Sequence, residues 1–463
     1  MKTLYYKIDI ALVQLFLLVI ASACSNFTDV ELPSSQLTAG AVFEDRVTAN
    51  AAVTDIYSKI RDKGLLTGYP TGLSNQLGLY SDELQYYGIS GTGQANFYNN
   101  SLTDTDAEIS ELWNSSYNQI YAANAVVEGL AKSATVPLAD RHQLTGEALF
   151  VRALIHFYLF NTFGPVPYIT STDYKKNSTV ARMPEQDLYS SIRKDLEQAA
   201  ELLPRNYVSA DRSRPNRAAA QALLSRLYLY NQLWDQASNT ASAVINQTDL
   251  YIWPSTLDLL FEKESRSTIW QLTPSLAGAN TYEGNNFIFL QGPPPSAALS
   301  NNLLNAFTTG DRRKTQWIKS VTNGTSVWYH SYKYKRKAST AVSAEYSVIL
   351  RIAEQYLIRS EARAHQGDLI GAKEDLNKTR NLAGLGNTTA GTAQEIIEAV
   401  LLERRLELFT ELGHRFFDLK RTGKLDQVLS ISKPQWKTSA RVLPLPESEL
   451  QLNPNLNPQN ESY

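Results

Sequence analysis

The densest group of ionisable side chains in this chain is Glu403, Arg404, Arg405, Glu411, His414, Arg415, Asp418 and Arg421. His414 stands four residues before Asp418 and three after Glu411, the spacing of an acid–base pair or of two metal ligands on one helix face. No other histidine lies near enough in sequence to complete a metal set. Arginines interleaved with carboxylates fit structural pairing across a helix junction, and that is the expectation here. Asp104, Asp106 and Glu108 alternate as calcium ligands do, but the twelve-residue loop with its central glycine is missing. Acids at a helix N-terminus account for them, with calcium as the alternative cofactor. Gly384-Leu385-Gly386 has neither a preceding strand nor a following Lys-Ser/Thr, so it reads as a turn and not a phosphate cradle. Nucleophile-elbow and zinc-helix patterns are also missing. The expected class is a binding protein, with a glycosidase carboxylate pair the enzymatic alternative that the residues leave open.

Aromatic residues are the stronger signal. The chain has 25 Tyr and 7 Trp beside only 5 His and 2 Met. Two Gly-, Asn- and Thr-rich tracts, about 62–107 and 247–342, carry many of them. The first offers Tyr69, Tyr80, Tyr86 and Tyr87, with Asp82, Glu83 and Asn96 as polar partners. The second offers Tyr282, Asn285, Phe287, Trp317, Trp328 and Tyr329, with Arg312 and Lys333 nearby. A sugar ring has an apolar face that stacks on an aromatic ring and a rim of hydroxyls that bonds carboxylates, amides and guanidinium groups. These residues are the candidate ligand contacts. Trp113, Trp234 and Trp253 fall within or beside helical stretches and are assigned to packing.

The elements that must position these loops are helical. Apolar residues at 3/4 spacing run through Leu144, Ala148, Val151, Ile155 and Leu159, until Gly164-Pro165 ends the helix. Further helices are expected over 43–61, 108–130, 184–203, 219–230 and from Trp234. From Tyr346, the stripe Ile349, Ile352, Ala353, Tyr356, Leu357, Ser360 and Ala364 is followed by Gly367-Asp368 and a facing stripe of Leu369, Ala372 and Leu376. A helix, a tight turn and a helix in about 34 residues is the signature of a tetratricopeptide-like hairpin. Repeats are expected at about 118–163, 187–247 and 346–382, stacking to bury one another's apolar faces. After a last patterned helix over 396–412 the Pro/Asn-rich chain is expected to wrap the outside irregularly. The fold class is therefore mainly α, a helical-repeat scaffold with long loop-rich insertions and minor β.

Cys24 is the only cysteine. It follows a basic start with Lys2 and Lys7, an apolar core from Leu12 to Ile20 and the small residues Ala21-Ser22-Ala23, the layout of an export signal. The core is shorter than the roughly 20 residues of a single-pass anchor. Residues 1–23 read as a cleaved signal peptide, Cys24 as the lipidated first residue and 24–40 as a tether. The rival readings are a secreted protein with a leftover thiol and an uncleaved transmembrane start. Removal of Lys2, Lys7 and Asp9 leaves 42 basic against 45 acidic residues, which gives no electrostatic reason for nucleic-acid binding.

Several segments together resemble the SusD/RagB family of Bacteroidetes outer-membrane nutrient-binding lipoproteins. They are Gly146-Glu147-Ala148-Leu149-Phe150-Val151-Arg152-Ala153 running to Phe163-Gly164-Pro165-Val166-Pro167, Arg217 to Tyr230, Gly310-Asp311-Arg312-Arg313, and Ile352 to Asn381. Glu403-Arg404-Arg405-Leu406-Glu407-Leu408, Gly413 to Arg421, Leu443-Pro444-Leu445-Pro446 and Asn453-Pro454-Asn455-Leu456 complete the set, in company with Cys24. Arg312 replaces a proline of the family pattern, and Gln459-Asn460-Glu461-Ser462-Tyr463 replaces a common Asn-Pro-Gly-Tyr-like ending. The resemblance implies a SusD-like domain over 41–463, lipid-anchored on the extracellular side of the outer membrane. It further implies capture of an oligosaccharide, or in some relatives a peptide, as the lid of a SusC-like TonB-dependent β-barrel transporter. It implies a loop-rich ligand face, a repeat face toward the transporter and no catalysis. A scaffold without a ligand of its own is the remaining alternative.

Overall fold

Asp45 opens the first long helix by accepting hydrogen bonds from the backbone N–H groups of Val47 and Thr48, two of the donors that a helix N-terminus leaves unpaired. The computed structural model describes residues 41–461 and 463, so the signal, Cys24 and tether expectations lie outside the described residues. The body, Phe43–Tyr463, is built almost entirely of helices. In chain order, α1 is Arg46–Asp62, α2 Leu73–Tyr80, α3 Gly93–Asn99, α4 Ala107–Lys132, α5 Leu138–Phe163 and α6 Tyr174–Asn177. Next come α7 Glu185–Leu202, α8 Arg217–Tyr230, α9 Trp234–Ile245, α10 Tyr282–Phe287, α11 Asn301–Leu304 and α12 Arg312–Gln316. The last third holds α13 Ile352–His365, α14 Leu369–Leu382, α15 Ala393–Glu407, α16 His414–Arg421, α17 Leu425–Ser432 and α18 Glu447–Leu452.

The long helices stack in sequence. α4 packs on α1 and α5, α5 on α7, α7 on α8, α8 on α9, α9 on α13, and α13 on α14 and α15. α5 sits deepest, with every residue from Gly146 to Phe163 buried, as expected of a helix that is apolar nearly all round. Two of its buried charged residues are paired. Arg152 donates from Nε and Nη2 to Asp195 at 2.6 and 2.7 Å, and Glu147 accepts from Tyr57 and from two guanidinium nitrogens of Arg214. The α13–α14 hairpin turns on Gly367, whose φ of +84° suits only a residue without a Cβ. Leu357, Ala364, Ala372 and Leu376 form its core with Ile396 and Val400 of α15. The helical-repeat expectation holds.

Strands are short and paired antiparallel: β1 Leu84–Tyr86, β2 Thr268–Leu272, β3 Ala297–Leu299, β4 Ile318–Thr322, β5 Val327–Ser331 and β6 Ser347–Arg351. β1 pairs with β3, β2 with β6, and β4 with β5 as a hairpin. Three local expectations change. The stripe that begins at Tyr346 is not helical until Ile352, because Ser347–Arg351 is a fully buried strand against β2; Val348 and Ile349 are β-branched and suit a pleated interior. The first loop tract contains α2, β1 and α3; α2 is buried on all sides, Asn75 and Gln76 included, so it shows no amphipathic period. The C-terminal region folds into α16, α17 and α18 instead of an irregular wrap. No helix among the described residues is long and apolar enough to cross a membrane.

Candidate ligand-binding site

Buried ion pairs fix both loop tracts to the end of the repeat stack. From the first tract, Asp82 accepts from Arg405 Nη2 at 2.8 Å and from Arg415 Nε and Nη2 at 2.8 and 2.9 Å. From the second, Arg313 donates to Asp311 and Glu403, and Lys333 donates to the carbonyls of Glu407 and Phe409 and to Glu411. Arg351 reaches Glu407 and Glu411. Within the helices, Asp418 accepts from Arg404 and Arg421, and Arg421 also bonds both oxygens of Glu361. His414 lies buried in this network. Burial first, then the surrounding cations, push its pKa well below the ordinary histidine value, so it stays neutral. It packs among structural ion pairs, the reading expected from the alternating charges.

Among the described residues no group of three or more His, Cys, Asp or Glu side chains converges as a metal set would. Asp106 accepts from Asn96 Nδ2 and the Thr103 N–H at 2.7 Å each, and so organises the start of α4. Asn96 is thereby tied into structure through its amide nitrogen. Asp82 and Lys333 are anchors for the same reason.

Two partly exposed aromatic pairs each join a candidate of the first tract to one of the second. Tyr69 and Tyr282 stack with ring centroids 3.8 Å apart and planes 22° from parallel, and Tyr69 is 40% exposed. Tyr282 donates its hydroxyl to Asp62 at 2.9 Å, while Arg61 grips both oxygens of Asp62. The stack is thus fixed from behind by an ion pair at the C-terminus of α1. Its hydrogen bond to Tyr282, with burial next, pushes the Tyr69 phenol up to about 12, so it stays protonated. Asn285, exposed and one helical turn beyond Tyr282 on α10, borders this platform. The second pair is Tyr87 and Trp328, edge to face at 6.5 Å. Tyr87 follows β1 and its N–H bonds the Ser296 carbonyl, while Trp328 lies on β5. Gly292 lies directly under the indole: a Cβ there would come within 2.1 Å of Trp328 Cζ3. Glycine is required at that point by close approach alone.

The other sequence candidates go elsewhere. Trp317 is fully buried, packed on Phe261 and Phe409 with the Lys333 ammonium 5.0 Å from its ring, and its indole N–H donates to the Leu257 carbonyl. Tyr80 is equally buried and donates to the Ala440 carbonyl. Phe287 is core. Expectations of ligand contact at Trp317, Tyr80, Asp82 and Phe287 are corrected on this ground, since each side chain is buried and already covered or engaged. Arg312 is exposed, but its N–H bonds the Ala383 carbonyl and its side chain lies over Gly384, at the α14–α15 connection. Tyr86 bonds Thr92 and the Ile89 carbonyl and so braces the loop after β1. Tyr329 is half-buried and alternates with Trp328 on β5, so it takes the other face of the hairpin. Sequence reasoning missed Arg61, Asp62 and Gly292. No local pattern marks them, because their roles come from partners far along the chain.

The architecture defines a helical-repeat protein whose two inserted tracts present partly exposed aromatic rings. Comparison with known proteins places it further. Residues 74–229 match the family described as starch-binding associating with outer membrane, and residues 301–463 match the SusD family. The chain belongs to the SusD/RagB family. It is 21% identical to SusD-like protein P25 of Formosa agariphila over 97% of this chain and 98% of that one, and 26% identical to SusD-like protein P2 of the same organism over 83% and 87%. Similar solved structures include a SusD superfamily protein from Parabacteroides distasonis, with a TM-score of 0.78, 21% identity, and 92% of this chain and all of the other covered. A laminarin-binding SusD-like protein matches with a TM-score of 0.74 and 23% identity, covering 90% and 99%. These structural likenesses establish the fold.

Proposed function

We propose that this protein is a lipid-anchored, surface-exposed binding protein for neutral oligosaccharides, which it delivers to a SusC-like TonB-dependent transporter of the outer membrane. The observation that carries the reading is the pair of partly exposed aromatic platforms, Tyr69–Tyr282 and Tyr87–Trp328, the first held from behind by Asp62 and Arg61 and the second backed by the close approach of Gly292. Rigid rings stack on sugar faces at little entropic cost. Asp62, Asn285 and backbone groups beside the platforms supply hydrogen-bonding partners for ring hydroxyls. Family membership and a laminarin-binding structural relative support a glycan over a peptide, as does the near-neutral charge. Binding proceeds without covalent chemistry. Lipid on Cys24 supplies the anchor, two or more acyl chains holding firmly where one holds marginally.

Titration of the purified chain with laminari-, malto- and cello-hexaose and with a peptide panel tests the reading. Binding of a hexaose that Tyr282→Ala weakens at least tenfold is expected. Peptide binding with no response to any of the three sugars would overturn it. Replacement of Cys24 by Ala should leave affinity intact and release the protein from membranes.

A further inference from the structure

A groove of about 420 Å³ lies on the repeat scaffold itself, between α4 and the C-terminal segment that includes α18. One wall is an aromatic ladder: Trp113, Tyr117 and Tyr121 follow one another at four-residue intervals along α4 and all line the groove. Four residues of helix advance about 6 Å, so Tyr117 and Tyr121 stand about 6 Å apart along one face. Trp113, only 3% exposed, is the buried floor at the end of the ladder, 4.8 Å from Tyr117 and tilted by 46° to it. Trp113 packs edge-on against Phe163, and Tyr117 donates its hydroxyl to the Pro167 carbonyl at 2.9 Å. Tyr121 is the open rung, 52% exposed. The opposite wall is α18 with Glu449 and Leu452, followed by Asn453.

The rim is polar. Asn114 presents an exposed amide next to Trp113, and Glu449 presents a half-buried carboxyl. Burial pushes the Glu449 carboxyl up and a hydrogen bond from Trp113 draws it down, with no cation among these influences. A half-buried carboxylate without a cationic partner keeps acceptor capacity for hydroxyl donors. A ladder of fixed rings with an amide and a carboxylate along its edge suits a chain of linked pyranose rings, whose apolar faces repeat at a similar interval. An apolar protein segment would leave the Glu449 carboxylate and Asn114 amide facing it unmatched.

We infer that the α4–α18 groove is a second saccharide-binding site, taking about two sugar units of a neutral oligosaccharide on Tyr117 and Tyr121, over the buried Trp113. It shares no residue with the loop-borne platforms. The ligand class rests on the glycan reading above. Two sites on one body would let it hold a long chain at two points, which raises avidity without tighter contact at either.

Calorimetric titration of the full chain with laminari-, malto- and cello-hexaose, carried to millimolar sugar, tests this. A hexaose that binds is expected to fill two sites. Tyr282→Ala should weaken one at least tenfold and leave the other. Tyr121→Ala, an exposed change that leaves the core intact, should weaken only the second by at least tenfold, and Tyr121→Trp should retain it. A one-site isotherm indifferent to Tyr121→Ala would overturn the second site while leaving the proposed function standing. Binding of the peptide acetyl-Phe-Leu-Phe-amide, lost in Tyr121→Ala, with no second sugar site, would overturn it by giving the groove to a protein segment. Failure of all three sugars to bind anywhere would overturn both readings.

Discussion

Asp82 and Arg415, 333 positions apart in sequence, form a two-pronged ion pair at 2.8 and 2.9 Å that ties the chain entering β1 to the first turn of α16. Burial pushes the Asp82 carboxyl up, but the hydrogen bonds and charge of Arg415, joined by Arg405, outweigh it and hold the pKa below the ordinary carboxylate value. The pair therefore stays ionised in the folded protein. Breaking a buried pair by removing one partner costs about 3–5 kcal/mol, since the abandoned charges remain desolvated. Asp82→Ala leaves two arginines unmatched and should destabilise by that amount in denaturant unfolding. A loss below about 1 kcal/mol would show that water reaches the arginines.

Glu83, the next residue, gives the opposite pH response. It is buried, and burial first and the Asp82 charge second raise its pKa from 4.5 to about 7, against the opposing influence of Arg415, Lys333 and Arg405. The folded state thus keeps a proton that the unfolded state loses. The stabilisation from this group is complete below about pH 4.5 and is lost as pH rises to about 7, a change on the order of 3 kcal/mol. Glu83→Gln cannot titrate. Its stability relative to the parent chain should rise between pH 4.5 and 7 and level off above, measured by unfolding at a series of pH values. A difference independent of pH would refute the assignment.

Trp317 and Trp328 look equivalent in sequence, since each is a tryptophan in or beside a short strand of the second tract. The structure separates them. Trp317→Ala removes a fully buried indole and should cost about 3–5 kcal/mol in stability. Its effect on ligand affinity should follow only from partial unfolding. Trp328→Ala should change stability little and weaken oligosaccharide binding at least tenfold. Unfolding curves and titrations on the same two variants would reveal a reversal of these roles directly.

That contrast marks what the chain makes legible. Long amphipathic segments such as Leu357–Leu376 declare themselves, because a 3/4 stripe, a glycine turn and a facing stripe all lie within one local stretch. The ionic cluster at 403–421 was likewise readable as structural from its alternating signs. The candidate site was only half legible. Composition pointed to the two tracts that carry Tyr69, Tyr87, Tyr282 and Trp328. Yet whether a loop aromatic faces inward depends on partners far away, such as Phe409 and Leu257 for Trp317 or Ala440 for Tyr80. The anchoring of Tyr282 by Arg61 and Asp62 spans about 220 positions and leaves no periodic trace. α2 was unreadable for a related reason: a helix buried on every side has no polar face to set its period.

Gly292 supplies the sharpest test of the second platform. A methyl group there would sit 2.1 Å from Trp328 Cζ3 and 2.3 Å from Cε3, well inside contact distance. The indole must move, and it is half-buried on a short two-stranded hairpin with room on its solvent side. Crowding of this kind costs about 1–3 kcal/mol when the core must yield, and less where a surface ring turns away. Gly292→Ala should therefore keep the fold, shift Trp328 off its edge-to-face contact with Tyr87 and weaken oligosaccharide binding severalfold. Gly386→Ala is the matched control, since its added methyl group would meet nothing within 4 Å. Equal affinities for the two variants, with the parent chain binding normally, would remove Trp328 from the ligand surface and leave Tyr69–Tyr282 as the sole loop-borne platform.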